Sequence, residues 1–143
     1  MTESQTIKPD EYYSGVRHEM LAFLPDGIEK VLEIGCGDGN FGAVVKKDRG
    51  IEVWGIEYHP EKAHVAAQKL DTVLTGDVAV LLNELPDNYF DAVVCNDVLE
   101  HLIDPYSVLD GLKHKLTERG VVVSSLPNIR YHRNFFDLFF GRN

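Results

Sequence analysis

The stretch Val31 to Asn40, VLEIGCGDGN, runs strand-like residues straight into three glycines within five positions. Glycine at such a turn admits left-handed backbone and lets a ligand reach the backbone N–H groups with no Cβ in the way. A turn of this kind belongs at the carboxyl end of a strand in an open α/β sheet, where ligands bind near the point at which strand order reverses. The rest of the chain agrees. β-branched runs at 30–35, 52–57, 72–77, 90–96 and 120–126 alternate with helical patterns, without a repeat or a low-complexity linker. That alternation is the signature of βαβ units and a mostly parallel sheet. With 143 residues, 44% of them hydrophobic, there is material for one core, so 1–143 is read as a single domain.

The intervening segments carry helical stripes. Phe41, Val44 and Val45 form the first, and Ala63, Ala66, Ala67 and Leu70 the second, which Pro60 opens where its missing N–H costs nothing. Asp104 and Pro105 begin a helix whose Val108, Leu109, Leu112 and Leu116 face inward until Gly120 ends it. Residues 78–84 form a weaker helix. Upstream, Val16, Met20 and Phe23 or Leu24 share one face, which predicts an N-terminal helix across the sheet, stopped by Pro25, with 1–28 as a helical lid. At the far end, Phe135, Phe136, Leu138, Phe139 and Phe140 make an apolar set too broad for a free surface helix. That segment, 129–143, is expected to pack on this domain or on a second copy, giving a homodimer through it or through the edge strand.

Charge and leader signals narrow the partners. Against 23 acidic residues stand 14 basic ones, a formal net charge of −9, and the resulting field disfavours nucleic acid. The start, MTESQTIKPDEYY, has no apolar signal region, and no uninterrupted apolar run could span a bilayer. A cytoplasmic protein without a membrane span is expected. Cys36 and Cys95 fit no zinc spacing and are expected to be free, mostly buried thiols of a reducing compartment.

The cofactor follows from the strand ends. A dinucleotide fingerprint counted from Gly35 requires its third glycine at Asn40, and the alternative frame of Gly37, Gly39 and Gly42 starts two residues beyond the strand. A nicotinamide-dependent oxidoreductase therefore stands as an alternative only. Glu33 is a carboxylate inside an otherwise apolar strand and requires a cation or several hydrogen bonds. Glu57, at the tip of the next strand, can accept both hydroxyls of a ribose. Asp77 ends the third strand, where it can accept from an exocyclic amine such as that of adenine, with Val78 against the ring. Asn96 and Asp97 end the fourth. A ligand with adenine, ribose and a cationic amino-acid-like end matches this set, and S-adenosylmethionine is such a ligand.

VLEIGCGDGNFG, WGIEYHP, LTGDV, FDAVVCNDVLEHLIDP and GVVVSSLPN resemble, in order and spacing, successive motifs of class I S-adenosylmethionine-dependent methyltransferases, over residues 30–128. LEHLIDP and SLPNIRYHRNFFDLFFG further resemble the small methyltransferases associated with glycosyltransferases and surface-polysaccharide pathways. The resemblance implies a Rossmann-like doubly wound sheet of order 3-2-1-4-5. It also implies that Glu33 and the backbone of Gly35, Cys36 and Gly37, with Gly39 completing the turn, hold the methionine end. Glu57 would take the ribose, Tyr58 the adenine face, Asp77 and Val78 the adenine, and Asn96 the methionine moiety through its backbone. Tyr13 and Arg17 would lie where such enzymes place a lid. The family usually has two further strands, which are lacking here, so either the chain is truncated, with much of the acceptor pocket missing, or its edge strand is covered in some other way.

Methyl transfer from a sulfonium is a direct displacement dominated by alignment, and a base is needed only where the acceptor must lose a proton. His101, after the fourth strand, is the candidate base, since imidazole titrates near neutral pH. A metal variant is also open: Asp97, Glu100 and His101 stand at i, i+3 and i+4, one face of a helical turn, and resemble the ligands of metal-assisted methyltransferases. The expected acceptor is a small molecule or saccharide, methylated at oxygen with S-adenosylhomocysteine as product. A non-catalytic cofactor-binding or interaction module is the rival reading.

Overall fold

The computed structural model describes residues 16–125. Five strands form one sheet in the order β3-β2-β1-β4-β5, all parallel, as expected: β1 (Lys30–Ile34), β2 (Glu52–Glu57), β3 (Thr72–Thr75), β4 (Phe90–Asn96) and β5 (Leu116–Ser125). The crossovers run through helices α1 (Asn40–Arg49), α2 (Pro60–Ala67), α3 (Val78–Leu81) and α4 (Pro105–Lys113). Strand order reverses between β1 and β4, which places the turns after these two strands side by side.

Local chemistry fixes the helix ends. Left-handed glycines bracket α1, Gly39 at φ 83 and Gly50 at φ 63. Pro60 starts α2, and the Asp104 side chain caps α4 by accepting from the Ser107 N–H at 3.1 Å. Val108, Leu109 and Leu112 of α4 then bury against Leu32, Ile34, Ile56, Val93 and Cys95 on one face of the sheet. Val45 of α1 and Ala66 of α2 cover Val31, Val53, Ala92 and Val94 on the other, together with Met20 and Leu24.

Three boundaries differ from expectation. The N-terminal helix is, within the described residues, a 3-10 segment, His18–Phe23, which Arg49 fastens to α1 by donating to the carbonyls of Leu21, Leu24 and Pro25. The fourth helix ends at Lys113 instead of Gly120, and Leu116 begins β5, paired with Phe90 across an irregularity in register. β3 stops at Thr75, so Asp77 is a helix cap and not a strand residue. The expected aromatic C-terminal helix at 129–143 lies outside the described residues, as does the first part of the lid.

Candidate functional site

An open crevice of about 870 Å3 lies at the carboxyl ends of the strands, the size of a small-molecule site. Its floor is Ile34 and Ile56, the last inward residues of β1 and β2. Of the candidate site residues, Gly35, Glu57, Tyr58, Asp77, Val78 and His101 line it, whereas Cys36, Gly37, Gly39 and Asn96 do not. Glu57 is buried and accepts from the Gly37 N–H at 3.3 Å, which ties the tip of β2 to the glycine turn. Asp77 caps α3, Oδ1 accepting from the Ala79 N–H at 2.9 Å, and Val78 behind it is buried. Tyr58 is largely exposed and packs its edge on His59.

The three glycines of the turn have different reasons to be glycine. All have positive φ. A Cβ on Gly35 would fall 2.5 Å from Val98 Cγ2, and one on Gly39 would fall 3.0 Å from the Ala66 Cα. Gly37 has nothing within 4 Å of such an atom, so the side of its Cα where a side chain would stand is open. Cys36, whose Sγ fills the room beside Gly55, is buried, and burial near Glu33 pushes its thiol up to about 12. Cys95 is likewise buried and raised to about 12 by desolvation.

Glu33 is outside the lining of this crevice. Strand alternation turns it toward the α1 face, where it is 4% exposed and lies opposite Gly55 in register. Desolvation pushes its carboxyl up to about 8; the nearby Gly42 N–H opposes the shift and the charge of Glu57 adds to it. Among the described residues Glu33 Oε2 has no hydrogen-bond partner of good geometry, and the same is true of Asn96 Oδ1. Both side chains belong to the same face of adjacent strands, Asn96 two residues nearer the carboxyl end. Among the described residues neither a cation nor a full set of hydrogen bonds meets Glu33 Oε2, and desolvation favours the protonated carboxyl.

The alternative arrangement, in which Asp97, Glu100 and His101 face one metal ion, is not formed among the described residues. Asp97 adopts φ 54 and Leu99–His101 is a 3-10 segment, so the α-helical spacing that would align the three is broken. Asp97 pairs with Arg17 and Ser125, whereas His101 Nε2 is 3.6 Å from Glu100 Oε1. Among the described residues no group of three or more histidine, cysteine, aspartate or glutamate side chains is placed to hold a metal ion. Arg17 pairs with Asp97 in the turn after β4; Tyr13 lies outside the described residues. Sequence reasoning missed Val98, Leu102 and the fully exposed Ile103, which also line the crevice. Their signal is position: they follow β4 as the glycine turn follows β1.

No helix among the described residues is long and apolar enough to cross a membrane. A family model described as a methyltransferase domain matches residues 7–137. The chain is 27% identical over 138 residues to a ubiquinone biosynthesis O-methyltransferase of Pasteurella multocida, covering 85% of this chain and 57% of that protein. It is 28% identical over 122 residues to a malonyl-[acyl-carrier protein] O-methyltransferase of a Paenibacillus species, covering 77% and 44%. The chain thus spans about half the length of the curated relatives it matches. Among solved structures, a SAM dependent methyltransferase from Archaeoglobus fulgidus superposes with a TM-score of 0.69 at 27% identity, covering 90% of this chain and 62% of that one.

Proposed function

The chain belongs to the class I methyltransferase domain family, and from that membership we propose that it binds S-adenosylmethionine and directs its methyl group to oxygen on a small-molecule or sugar acceptor. The observation that carries the reading is the pair of buried, unpartnered acceptors, Glu33 Oε2 and Asn96 Oδ1, on neighbouring strands beside the glycine turn. Buried acceptors without donors are costly, and an ammonium group would satisfy both. Asn96 would then act through its side chain as well as its backbone.

The other residues fit the rest of the ligand. Glu57 would accept the ribose hydroxyls from the β2 tip, and the open side of the Gly37 Cα lets the methionine end approach. Asp77 has one oxygen committed to its cap, which leaves Oδ2 for the adenine amine, with Val78 and Tyr58 bordering the ring. When bound, the sulfonium supplies an activated methyl group and its own leaving group. What remains for the protein is alignment and, for a hydroxyl acceptor, removal of one proton. His101 stands at the crevice rim with its side chain 78% exposed, free to meet an acceptor arriving from solvent.

Residues 1–143 are read as one such domain. O-methyl transfer in the names of both relatives supports oxygen as the target. A link to polysaccharide pathways rests on sequence around 99–105 and 125–141, mostly outside the described residues, and neither relative's name carries it. Free Cys36 and Cys95 support a reducing compartment.

Calorimetry with S-adenosylmethionine, S-adenosylhomocysteine and NAD tests the cofactor. Saturable binding of the first two is expected, and tight NAD binding without either would overturn the reading. With an acceptor found by a methyl-transfer screen, His101→Ala should lower kcat by roughly 100-fold or more with cofactor affinity unchanged. A cofactor-binding protein that turns over no acceptor would instead be a binding module.

A further inference from the structure

We infer that Asp97 is a positioning residue for the cofactor crevice, clasped in a left-handed turn by Ser125 on one side and Arg17 on the other. The inference rests on the methyltransferase reading and adds the device that sets the turn after β4.

Asp97 has φ 54, a region that non-glycine residues enter at a cost and that aspartate and asparagine tolerate better than most. Its backbone N–H donates to both the carbonyl and the hydroxyl oxygen of Ser125, each at 3.1 Å. The Ser125 hydroxyl donates in turn to Asp97 Oδ1 at 3.1 Å. Oδ2 forms an ion pair with Arg17. Both carboxylate oxygens are therefore engaged, and one side chain joins three separate parts of the chain: the segment before His18–Phe23, the turn after β4, and the end of β5.

The neighbours of Asp97 give this clasp its consequence. Asn96, with its unpartnered Oδ1, precedes it. Val98 follows it, fills the space that a side chain on Gly35 would need, and walls the crevice. A change of φ at residue 97 swings both at once. Asp97 thus acts on the ligand through its neighbours and not by contact.

The two halves of the clasp differ in exposure. Ser125 is buried, so its bonds are sheltered. The Arg17–Asp97 pair is partly exposed, at 41% and 28% of the two side chains, and salt screens it. Cofactor affinity is accordingly salt-sensitive through this pair, and S-adenosylhomocysteine, a zwitterion without net charge, reads that sensitivity with little charge attraction of its own.

The test is titration calorimetry with S-adenosylhomocysteine at low and high salt. Wild type should weaken roughly threefold at high salt, and Arg17→Gln and Asp97→Asn should each lose about that factor at low salt and respond to salt no further. Arg17→Lys should restore the response, and the Arg17→Gln/Asp97→Asn pair should bind no worse than either alone. Asp97→Ala, which loses both the clasp and the tolerance for positive φ, should bind roughly 30-fold more weakly, with Asp97→Gly recovering part of the loss. A purely structural role would lower the Tm without erasing the salt response. Wild-type binding with every variant within twofold of it, or a salt response that persists in Arg17→Gln, overturns the inference. That variant decides even if Asp97→Ala fails to fold, because Arg17 is half-exposed. Wild type that binds neither S-adenosylmethionine nor S-adenosylhomocysteine defeats the methyltransferase reading itself, and the inference with it.

Discussion

Replacing Glu33 by glutamine should stabilise the ligand-free protein, by an amount that grows with pH. The carboxyl titrates near 4.5 in an unfolded chain and is pushed up to about 8 in the fold by desolvation, with the Glu57 charge adding to the shift. Because the folded value is the higher one, the folded state binds more protons than the unfolded state between these limits. Stability therefore falls as pH rises through that window, by about 1.4 kcal/mol for each pH unit. Below about pH 4.5 both states are protonated and the cost vanishes; at pH 7 it reaches about 3 kcal/mol, and above pH 8 it levels off near roughly 5 kcal/mol. Glutamine keeps the shape and has no charge to bury. Its amide must find partners in the same place, an offset of about 1 kcal/mol that does not change with pH. The assay is urea unfolding of wild type and Glu33→Gln at pH 5, 7 and 9 without cofactor, read as the difference between the two, so that all other titrations cancel. The difference should rise in favour of glutamine across the series. Parallel stability profiles would refute the claim that Glu33 is buried neutral, whatever their absolute separation. About 3 kcal/mol is a large part of the stability of a domain this size, so the effect is well within reach of the measurement.

Gly39→Ala would place a methyl 3.0 Å from the Ala66 Cα at a residue with φ 83, and should cost roughly 2–4 kcal/mol in urea unfolding. Glu57→Ala should weaken S-adenosylhomocysteine binding roughly 10- to 100-fold by calorimetry while far-ultraviolet circular dichroism is unchanged, since Glu57 is the proposed ribose acceptor and its bond from the Gly37 N–H is long, at 3.3 Å. Cys36 and Cys95, both held near 12, should resist a thiol reagent at pH 8 until denaturant is added; prompt labelling of the native protein would contradict their burial.

Much of this architecture can be read without coordinates, and the exceptions have physical causes. β2 and β4 occupy the predicted residues 52–57 and 90–96, because β-branched runs bounded by turn residues leave a parallel strand little choice. Leu116 misleads. It continues the spacing of Val108, Leu109 and Leu112, yet it is buried by pairing with Phe90 in a strand, and periodicity registers burial without distinguishing which element supplies it. Asp97, Glu100 and His101 have a helical spacing that one positive φ cancels, and the Asn-Asp dipeptide at the end of β4 was the available hint, since both residues tolerate that region. The need of Glu33 for compensation was legible, but its resolution by protonation depends on Gly42, Glu57 and the packing of α1, none of which is local to it. The Arg17–Asp97 pair joins residues 80 positions apart and left no trace in pattern.

The two faces of the sheet divide the work in a way that explains why the acids differ so much in environment. On the α4 face the strands end in Ile34 and Ile56, so the crevice floor is the upper end of a hydrophobic core, suited to an aromatic base. On the α1 face the same strands end in Glu33 and Glu57, with Asn96 beside them on β4, and here Gly42 brings α1 close to Glu33, whose Oε2 would lie 3.2 Å from a Cβ at that position. A ligand lying across the top of β1 would meet apolar surface on one side and acceptors on the other, which is the polarity of an adenosyl group carrying an amino-acid tail. Its cationic end would lower the Glu33 pKa back toward the ordinary carboxylate range by the same electrostatics that now raise it. Binding near pH 7 should then release close to one proton, measurable as a calorimetric enthalpy that depends on the buffer's own ionisation heat. An enthalpy independent of buffer would mean that Glu33 does not meet the cation, and the assignment of the methionine end to this face would have to be abandoned.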